Sequence, residues 1–446
     1  MSPATDTPLV FTRQGLRGPA WFAVLLPGLV AVLLWMAAPN AGTAFATPAG
    51  ALRQLALLAG LCGYAAFATD LVIGARLPAL ERLFSSLDRM YRFHRGLGAA
   101  VGGLLLTHAL FMAGSYAVTP GLGAATLLRP DPGWRVFSGV IAFVLLVTVL
   151  AVSRFVRLPH ETFLRVHRLF GVVFALGALH ALRVPGAALP ALDAYLLLLT
   201  VAGVTGWLYR SGLGRTLVKR HFYRVLTVRP LHPSVVEVAL TPVEEPLRFT
   251  PGQLVFVGID DDAVTRELHP FSITSAAGER ELRLVVKAVG DFTTSLPGVA
   301  AGAWARVEGP YGGFWHNGRG IRRQVWIAGG IGITPFLSMA RSLEGDDHEI
   351  DLFYCVEDAE AAVFLDELYT LADQRPRIRI VPVRADALGF LTAEDVRSVC
   401  GDLSGVHLFL CGPPAMIETL TAQFATLGVS REHLHFEDFR LKGRAS

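Results

Sequence analysis

Cysteine, charge and long runs of like charge are all scarce in this sequence. Its four cysteines, Cys62, Cys355, Cys400 and Cys411, are scattered without CxxC spacing, which argues against a disulfide framework, an iron–sulfur cluster or a zinc site. Charged residues make up 17% of the 446-residue chain and the formal net charge is +3. With no long basic run, nothing points to a nucleic-acid partner. No calcium-binding loop and no long regulatory insertion is visible. What replaces charge is apolar side chain: hydrophobic residues reach 52% and the mean hydropathy is +0.46. That is too apolar for an ordinary soluble enzyme and too varied for a pure membrane bundle. The apolarity is concentrated in residues 21 to 209, whereas 221 to 446 carry mixed charge, strand-like alternation and glycine-rich turns. Two halves with different solvents are implied.

In the first half six spans are expected, at about 21–38, 53–74, 96–118, 134–153, 167–184 and 191–209, each near the roughly 20 residues that a bilayer core requires. The fifth has only a short uncharged run between Arg168 and Arg183, which would equally suit a buried soluble helix unless the arginine stems snorkel at both ends. Arg76, Arg82, Arg89, Arg92 and Arg95 lie between spans two and three, and Arg154, Arg157 and Arg165 between four and five. Those loops are expected to face the cytoplasm, and Arg210, Arg215, Lys219 and Arg220 put the second half there as well. Both termini are then cytoplasmic, in a multi-pass inner- or plasma-membrane protein of bacterial type. A rival reading takes Arg13, Arg17 and the small-residue stretch AGTAFATPAG as a cleavable signal, against which the apolar core is long.

Histidines interrupt the apolar pattern in two spans. HRGLGAAVGGLLLTH runs from His94 to His108, and HRLFGVVFALGALH from His167 to His180. Imidazole in hydrocarbon is costly without a partner, so an intramembrane histidine invites a functional explanation. Fourteen steps from His94 to His108 make about four turns less 40°, so both lie on one face about 21 Å apart; thirteen steps from His167 to His180 span about 20 Å. The second pair is rotated by about 220° on a regular helix, which calls for a π-bulge, a kink or a wide rotamer difference that Gly171 and Gly177 would permit. Spans three and five run in the same direction, so each of two depths offers two imidazoles. That is the axial ligation of a low-spin haem, and only two ligands per level are too few for zinc. The expected pairs are His94 with His167 and His108 with His180, with His160 as a spare for the first level.

This arrangement of six spans and paired histidines resembles the ferric reductase and NADPH oxidase superfamily of transmembrane electron carriers. The resemblance implies two haem b groups, FAD and NADH or NADPH, and it extends over nearly the whole chain. The expected organisation is a transmembrane bundle over 1–210, a linker at 211–220, an antiparallel β-barrel FAD domain over 221–318 and an α/β parallel-sheet NAD(P) domain over 319–446. The runs FYRVLTVRP, VVEVALTP, QLVFVGID and ELRLVVKAVG read as barrel strands. RQVWIA, EIDLFYC, RIRIVPV and VHLFLC read as four strands of the parallel sheet.

HPFSITS, from His269 to Ser275, resembles the flavin signature of ferredoxin reductases. It implies FAD contacts from His269, Pro270, Phe271, Ser272 and Thr274, with the Ser272 hydroxyl at the N5 edge of the ring. VGDFTTSLP resembles the second flavin element and implies roles for Gly290, Thr293 and Thr294, with Lys287 just before it; by itself it reads as a turn entering a helix. In AGGIGITPF, Gly329, Gly330 and Gly332 let backbone amides approach an anion, while Thr334 and Pro335 stand where a helix begins, so a pyrophosphate would meet a helix N-terminus. CGPP places Cys411, Gly412 and Pro413 at a strand's carboxyl end, and the resemblance puts Cys411 beside the nicotinamide. HFEDF supplies Glu437 and Phe439, similar to the family's closing aromatic over the flavin, although here RLKGRAS follows it. Glu357 and Asp358, after the second strand, favour NADH, whereas Arg384 could serve a 2′-phosphate.

The expected activity is transfer of electrons from NAD(P)H through FAD and two haems to an acceptor on the outer face, most simply a ferric chelate. Superoxide production from oxygen is the alternative. Met112 stands one turn beyond His108, where oxidase relatives tend to carry a histidine, and Arg183 could attract either an anionic chelate or superoxide. A flavin reductase with a haem-free membrane anchor, and a redox-sensing receptor, are readings of a different class.

Overall fold

The computed structural model describes residues 18–37, 45–77, 80, 83–84, 87–128, 134–182, 189–211, 220–314, 321–343, 345 and 348–437. They divide into two compact units, one helical and one, from the first β-strand onward, mixed.

The helical unit contains α1 (Gly18–Met36), α2 (Pro48–Gly74), α3 (Leu87–Ala117), α4 (Trp134–Phe155), α5 (His160–Ala181) and α6 (Pro190–Ser211). Helices α2 to α6 are long and apolar enough to cross a membrane, and α1 contributes the shorter apolar stretch Phe22–Met36. Start signals are local: Thr47 accepts from the Gly50 amide at 3.0 Å and Pro48 takes the first turn of α2, where its missing N–H costs nothing. Small residues then set the packing. A Cβ at Gly206 of α6 would lie 3.0 Å from the Leu71 oxygen on α2, so the two backbones approach closely. Tyr64 of α2 meets the Thr200 hydroxyl of α6 at 2.6 Å and stacks on Phe174 of α5 at 5.0 Å. Helix α5 corrects two expectations. It begins at His160, seven residues before the expected fifth span, and gains the length that the span lacked. It is also continuous α-helix to Ala181, without the π-bulge invoked for His180; Gly171 instead receives the Trp207 indole of α6.

The second unit opens with an antiparallel barrel of β1 (Arg220–His232), β2 (Val235–Pro242), β3 (Leu254–Asp260), β4 (His269–Ser272), β5 (Leu282–Lys287) and β6 (Trp304–Tyr311), in the order β4-β3-β6-β1-β2-β5. An Ile273–Leu284 bridge joins the two ends of that order, which leaves no open edge there. Two strands went unexpected. One is HPFS itself, too short to alternate; the other is WARVEGPY, interrupted by glycine and proline. Between β5 and β6 the short helix α7 (Asp291–Ser295) carries the second flavin element.

A five-stranded parallel sheet follows: β7 (Arg323–Gly329), β8 (Glu349–Val356), β9 (Ile378–Arg384), β10 (His407–Cys411) and β11 (Leu434–Glu437), in the order β11-β10-β7-β8-β9. Helices α8 (Thr334–Arg341) and α9 (Leu365–Asp373) cover one face, on Trp326, Leu352 and Phe409. Helices α10 (Ala393–Cys400) and α11 (Pro414–Thr426) cover the other, on Val325, Ile327 and Leu410. Alternate residues of each strand thus serve opposite faces, as a doubly covered sheet requires. The fifth strand was expected only as the segment HFEDF. Its edge position beside β10 places Glu437 level with Cys411.

Candidate functional site

The first histidine level lies where α2 ends and α3 and α5 begin. The rings of His94 and His167 oppose each other with centroids 5.8 Å apart and planes at 75°. The His94 Nδ1 is 2.9 Å from the Asp70 carboxylate on α2, and a Cβ at Gly74 would sit 3.6 Å from the His94 ring. His167 stacks on Phe163, and its buried Nδ1 has no hydrogen-bond partner among the described residues. Trp207 of α6 donates to the Arg168 carbonyl at 2.9 Å, so this level is also at the end of the bundle where α6 stops, at Ser211.

The second level pairs His108 with His180, at 6.2 Å and 65°. The His108 Nδ1 is 2.7 Å from the Ala56 carbonyl oxygen. Glycines of neighbouring helices seat both rings: a Cβ at Gly60 would come within 2.7 Å of the His108 Nδ1, and one at Gly139 equally close to that of His180. The expected partners are therefore brought together at both depths. His94 and His108 engage an oxygen through Nδ1, which leaves Nε2 for a metal. Two metal–imidazole bonds of about 2 Å each, plus half the width of each ring, span about 6 Å, the separation seen at both levels. Each level presents two opposed imidazoles, a donor set that suits an iron already held by a porphyrin. The side chain of His160, together with Arg183, lies outside the described residues.

The flavin and nicotinamide residues converge through the sheet registers. Ser272 of β4 faces Leu254 of β3, which also faces Tyr311 of β6. Gly312 follows at φ +94°, and a Cβ there would meet the Glu437 carboxylate at 3.3 Å. Glu437 is level with Cys411, and Cys411 with Ala328 of β7. The expected hydride donor and acceptor groups thus share one edge of this unit. The buried Ser272 and Thr274 hydroxyls have no hydrogen-bond partner among the described residues, which suits a flavin supplying those bonds. His269 stacks on Phe292 at 4.1 Å. Thr293 is used within its own turn, accepting from the Val289 and Gly290 amides and donating to the Gly290 carbonyl. Its hydroxyl holds the element in shape, and Thr294 is the threonine left to face a phosphate. Lys287 closes β5 with an exposed side chain.

Sheet order places the nucleotide turn. The connections out of β7 run to β8 and β9 on one side, while β10 and β11 lie on the other; ligands of open α/β sheets bind at the carboxyl ends beside such a switch point. AGGIGITPF leaves β7 there and CGPP leaves β10. The glycines divide the work. A Cβ at Gly329 would press on Pro413 and Met416, one at Gly332 on the Cys411 carbonyl, and one at Gly412 on Gly329. Those three let the two turns touch. Gly330, at φ +52° with open space around it, is the one free to approach a ligand, and α8 starts at Thr334 with Pro335 in its first turn. Phe439 lies outside the described residues.

Three family models match successive parts of the chain: "Ferric reductase like transmembrane component" at residues 59–178, "FAD-binding domain" at 221–313 and "Oxidoreductase NAD-binding domain" at 326–422. Together these match the ferric reductase and NADPH oxidase-like superfamily. The chain thus joins a helical region matching a transmembrane component to FAD- and NAD-binding domains of the oxidoreductase type. Among curated relatives, the carnitine monooxygenase reductase subunit of Escherichia coli K12 is 36% identical over 124 residues, 28% of this chain and 37% of that protein. The reductase component of propane 2-monooxygenase from Rhodococcus jostii RHA1 is 25% identical over 231 residues, 48% of this chain and 62% of that protein. The chain spans less than two thirds of the length of either. Amycolatopsis cytochrome P450 reductase GcoB is a similar solved structure, with 26% identity over 50% of this chain and 70% of that one, at a TM-score of 0.44.

Pattern reading passed over Asp70, Ala56, Gly60 and Gly139. Asp70 had a signal, as the only acidic residue in an otherwise apolar span. The Ala56 carbonyl had none, because a backbone acceptor leaves no mark in sequence.

Proposed function

We propose that this protein carries electrons from cytosolic NAD(P)H across the membrane to a ferric chelate on the outer face, through FAD and two bis-histidine haems. The observation that carries the reading is the opposition of His94 with His167 and of His108 with His180 at two depths of one apolar bundle. When bound, FAD supplies a two-electron hydride acceptor and the haems supply one-electron carriers. The protein's residues bind and orient. Gly330, Thr334 and Pro335 would receive the dinucleotide pyrophosphate, Glu357 the ribose, and Cys411 would flank the nicotinamide. Ser272 and Thr274 would donate to the flavin, with Thr294 and the Gly290 turn near its pyrophosphate. The four imidazoles would hold the two irons, and Phe439 would cover the flavin until nicotinamide arrives. Each NAD(P)H yields two electrons and one proton, so two ferric ions are reduced for each NAD(P)+ formed, and the proton stays on the flavin side. The arginine-rich loops support a cytoplasmic side for the His94 level, the flavin unit and both termini.

The test is the absorption spectrum of detergent-purified protein, followed by anaerobic stopped-flow reduction with NADH or NADPH. A strong Soret band and a sharp reduced α-band are expected, with faster reoxidation by ferric citrate than by oxygen. Flavin absorption alone would leave a membrane-anchored flavin reductase, and faster reoxidation by oxygen would assign superoxide production.

A further inference from the structure

The two histidine levels are anchored by different chemistry. The His94 Nδ1 is held by a carboxylate, that of Asp70, at 2.9 Å, whereas the His108 Nδ1 is held by the neutral carbonyl of Ala56 at 2.7 Å. Asp70 is buried, four residues before the end of α2, opposite Gly98 of α3, where a Cβ would stand 3.5 Å from its second oxygen. At the same level the His167 Nδ1 has no partner among the described residues, so Asp70 provides the charged contact for that pair of rings. A carboxylate buried in an apolar span is costly, and orienting a ring does not require one: Ala56 orients His108 without charge.

We propose that Asp70 is a positioning residue that makes the His94–His167 level the lower-potential of the two, so that electrons fall in energy, toward higher potential, on moving to the His108–His180 level. The inference rests on the two-haem reading above. An anionic acceptor on Nδ1–H draws the ring proton toward itself and makes Nε2 a stronger donor. It also sets a negative charge near the iron, in a medium that screens it poorly, and both effects favour the ferric state. A carbonyl does the same only weakly. The asymmetry therefore gives direction to the relay, and the first level is at the end of the bundle where α6 ends.

The test is a spectroscopic redox titration of the purified, haem-loaded full chain, read as two midpoint potentials. Asp70→Asn keeps the side chain's size and an acceptor oxygen while removing its charge. The lower midpoint should rise toward the upper one, the upper should stay in place, and Asp70→Glu should keep the two apart. Two haems retained with both midpoints unmoved in Asp70→Asn, or a shift of the upper one alone, overturns the proposal. If Asp70→Asn fails to hold its first haem, His108→Ala decides the matter. That variant leaves only the His94–His167 level, which must titrate at the lower wild-type midpoint, and titration at the upper one overturns the assignment. A wild-type protein without any haem would instead refute the two-haem reading itself.

Discussion

The helical unit and the flavin–nucleotide unit solve the same problem, holding a redox group, with opposite materials. In the bundle the candidate ligands are four side chains at two depths, and among the described residues the fittings around them include one carboxylate, one carbonyl, two phenylalanines and a few glycines. In the second unit the candidate groups are mostly backbone turns at the edge of a sheet, where glycines let one turn touch another and the buried Ser272 and Thr274 hydroxyls await a partner. A span in hydrocarbon has few polar groups to offer, so each one present carries much of the chemistry. A sheet edge has many amides to offer, and its specificity comes from which turns are brought together.

The largest test of that contrast is His108→Ala. Haem content should fall from two to one per chain while NAD(P)H still reduces FAD, since the two sites lie in separate units; full haem content would refute the pairing of His108 with His180. Next is Gly332→Val. Its side chain would collide with the Cys411 carbonyl, and displacing a turn by about 1 Å costs on the order of 10²-fold in rate. NAD(P)H-driven flavin reduction should drop by about that factor while both haems remain. Ser272→Ala should slow flavin reduction by about 10-fold, as the loss of one buried hydrogen bond worth about 1–2 kcal/mol implies, and stopped-flow absorbance at the flavin band reads it. The smallest effect concerns alkali. Burial pushes the Cys355 and Cys400 thiols from 9.0 up to about 12. A folded-state pKa raised in this way contributes stability that is complete below about pH 9 and is lost as pH climbs toward 12. Thermal release of FAD, followed by its fluorescence, should therefore shift to lower temperature above pH 9, and less so in the Cys355→Ala, Cys400→Ala double variant.

The two units were unequally legible. The bundle's histidines stood out because the spans around them are otherwise mostly apolar, with Thr107, Ser115, Tyr116 and the flanking arginines as the exceptions, and helical pitch alone put the pairs at matching heights. Pitch failed for the azimuth of His180: the side chain reaches its partner from an undistorted α5, seated against Gly139 of another helix, and no single-helix projection contains that contact. In the second unit HPFS was legible as a motif but not as β4, since four residues with a proline carry no alternation. Gly329, Gly332 and Gly412 were legible as a glycine-rich pattern, while their shared purpose, a contact between turns about 80 residues apart in sequence, depends on sheet order. Lone signals survive translation into structure best where their surroundings are monotonous.

The Arg341 guanidinium of α8 donates to the Thr274 carbonyl in the barrel while it grips Glu367 of α9 with two more hydrogen bonds, and the neighbouring Ser338 hydroxyl donates to the Ser275 carbonyl. The barrel and the parallel sheet are riveted behind the very strand that carries HPFS. Anyone building chimeras should therefore splice between Ser211 and Arg220 and transplant the remainder as a single cassette. A cut between residues 314 and 321 would sever the rivets and leave two fragments, each with half a workbench.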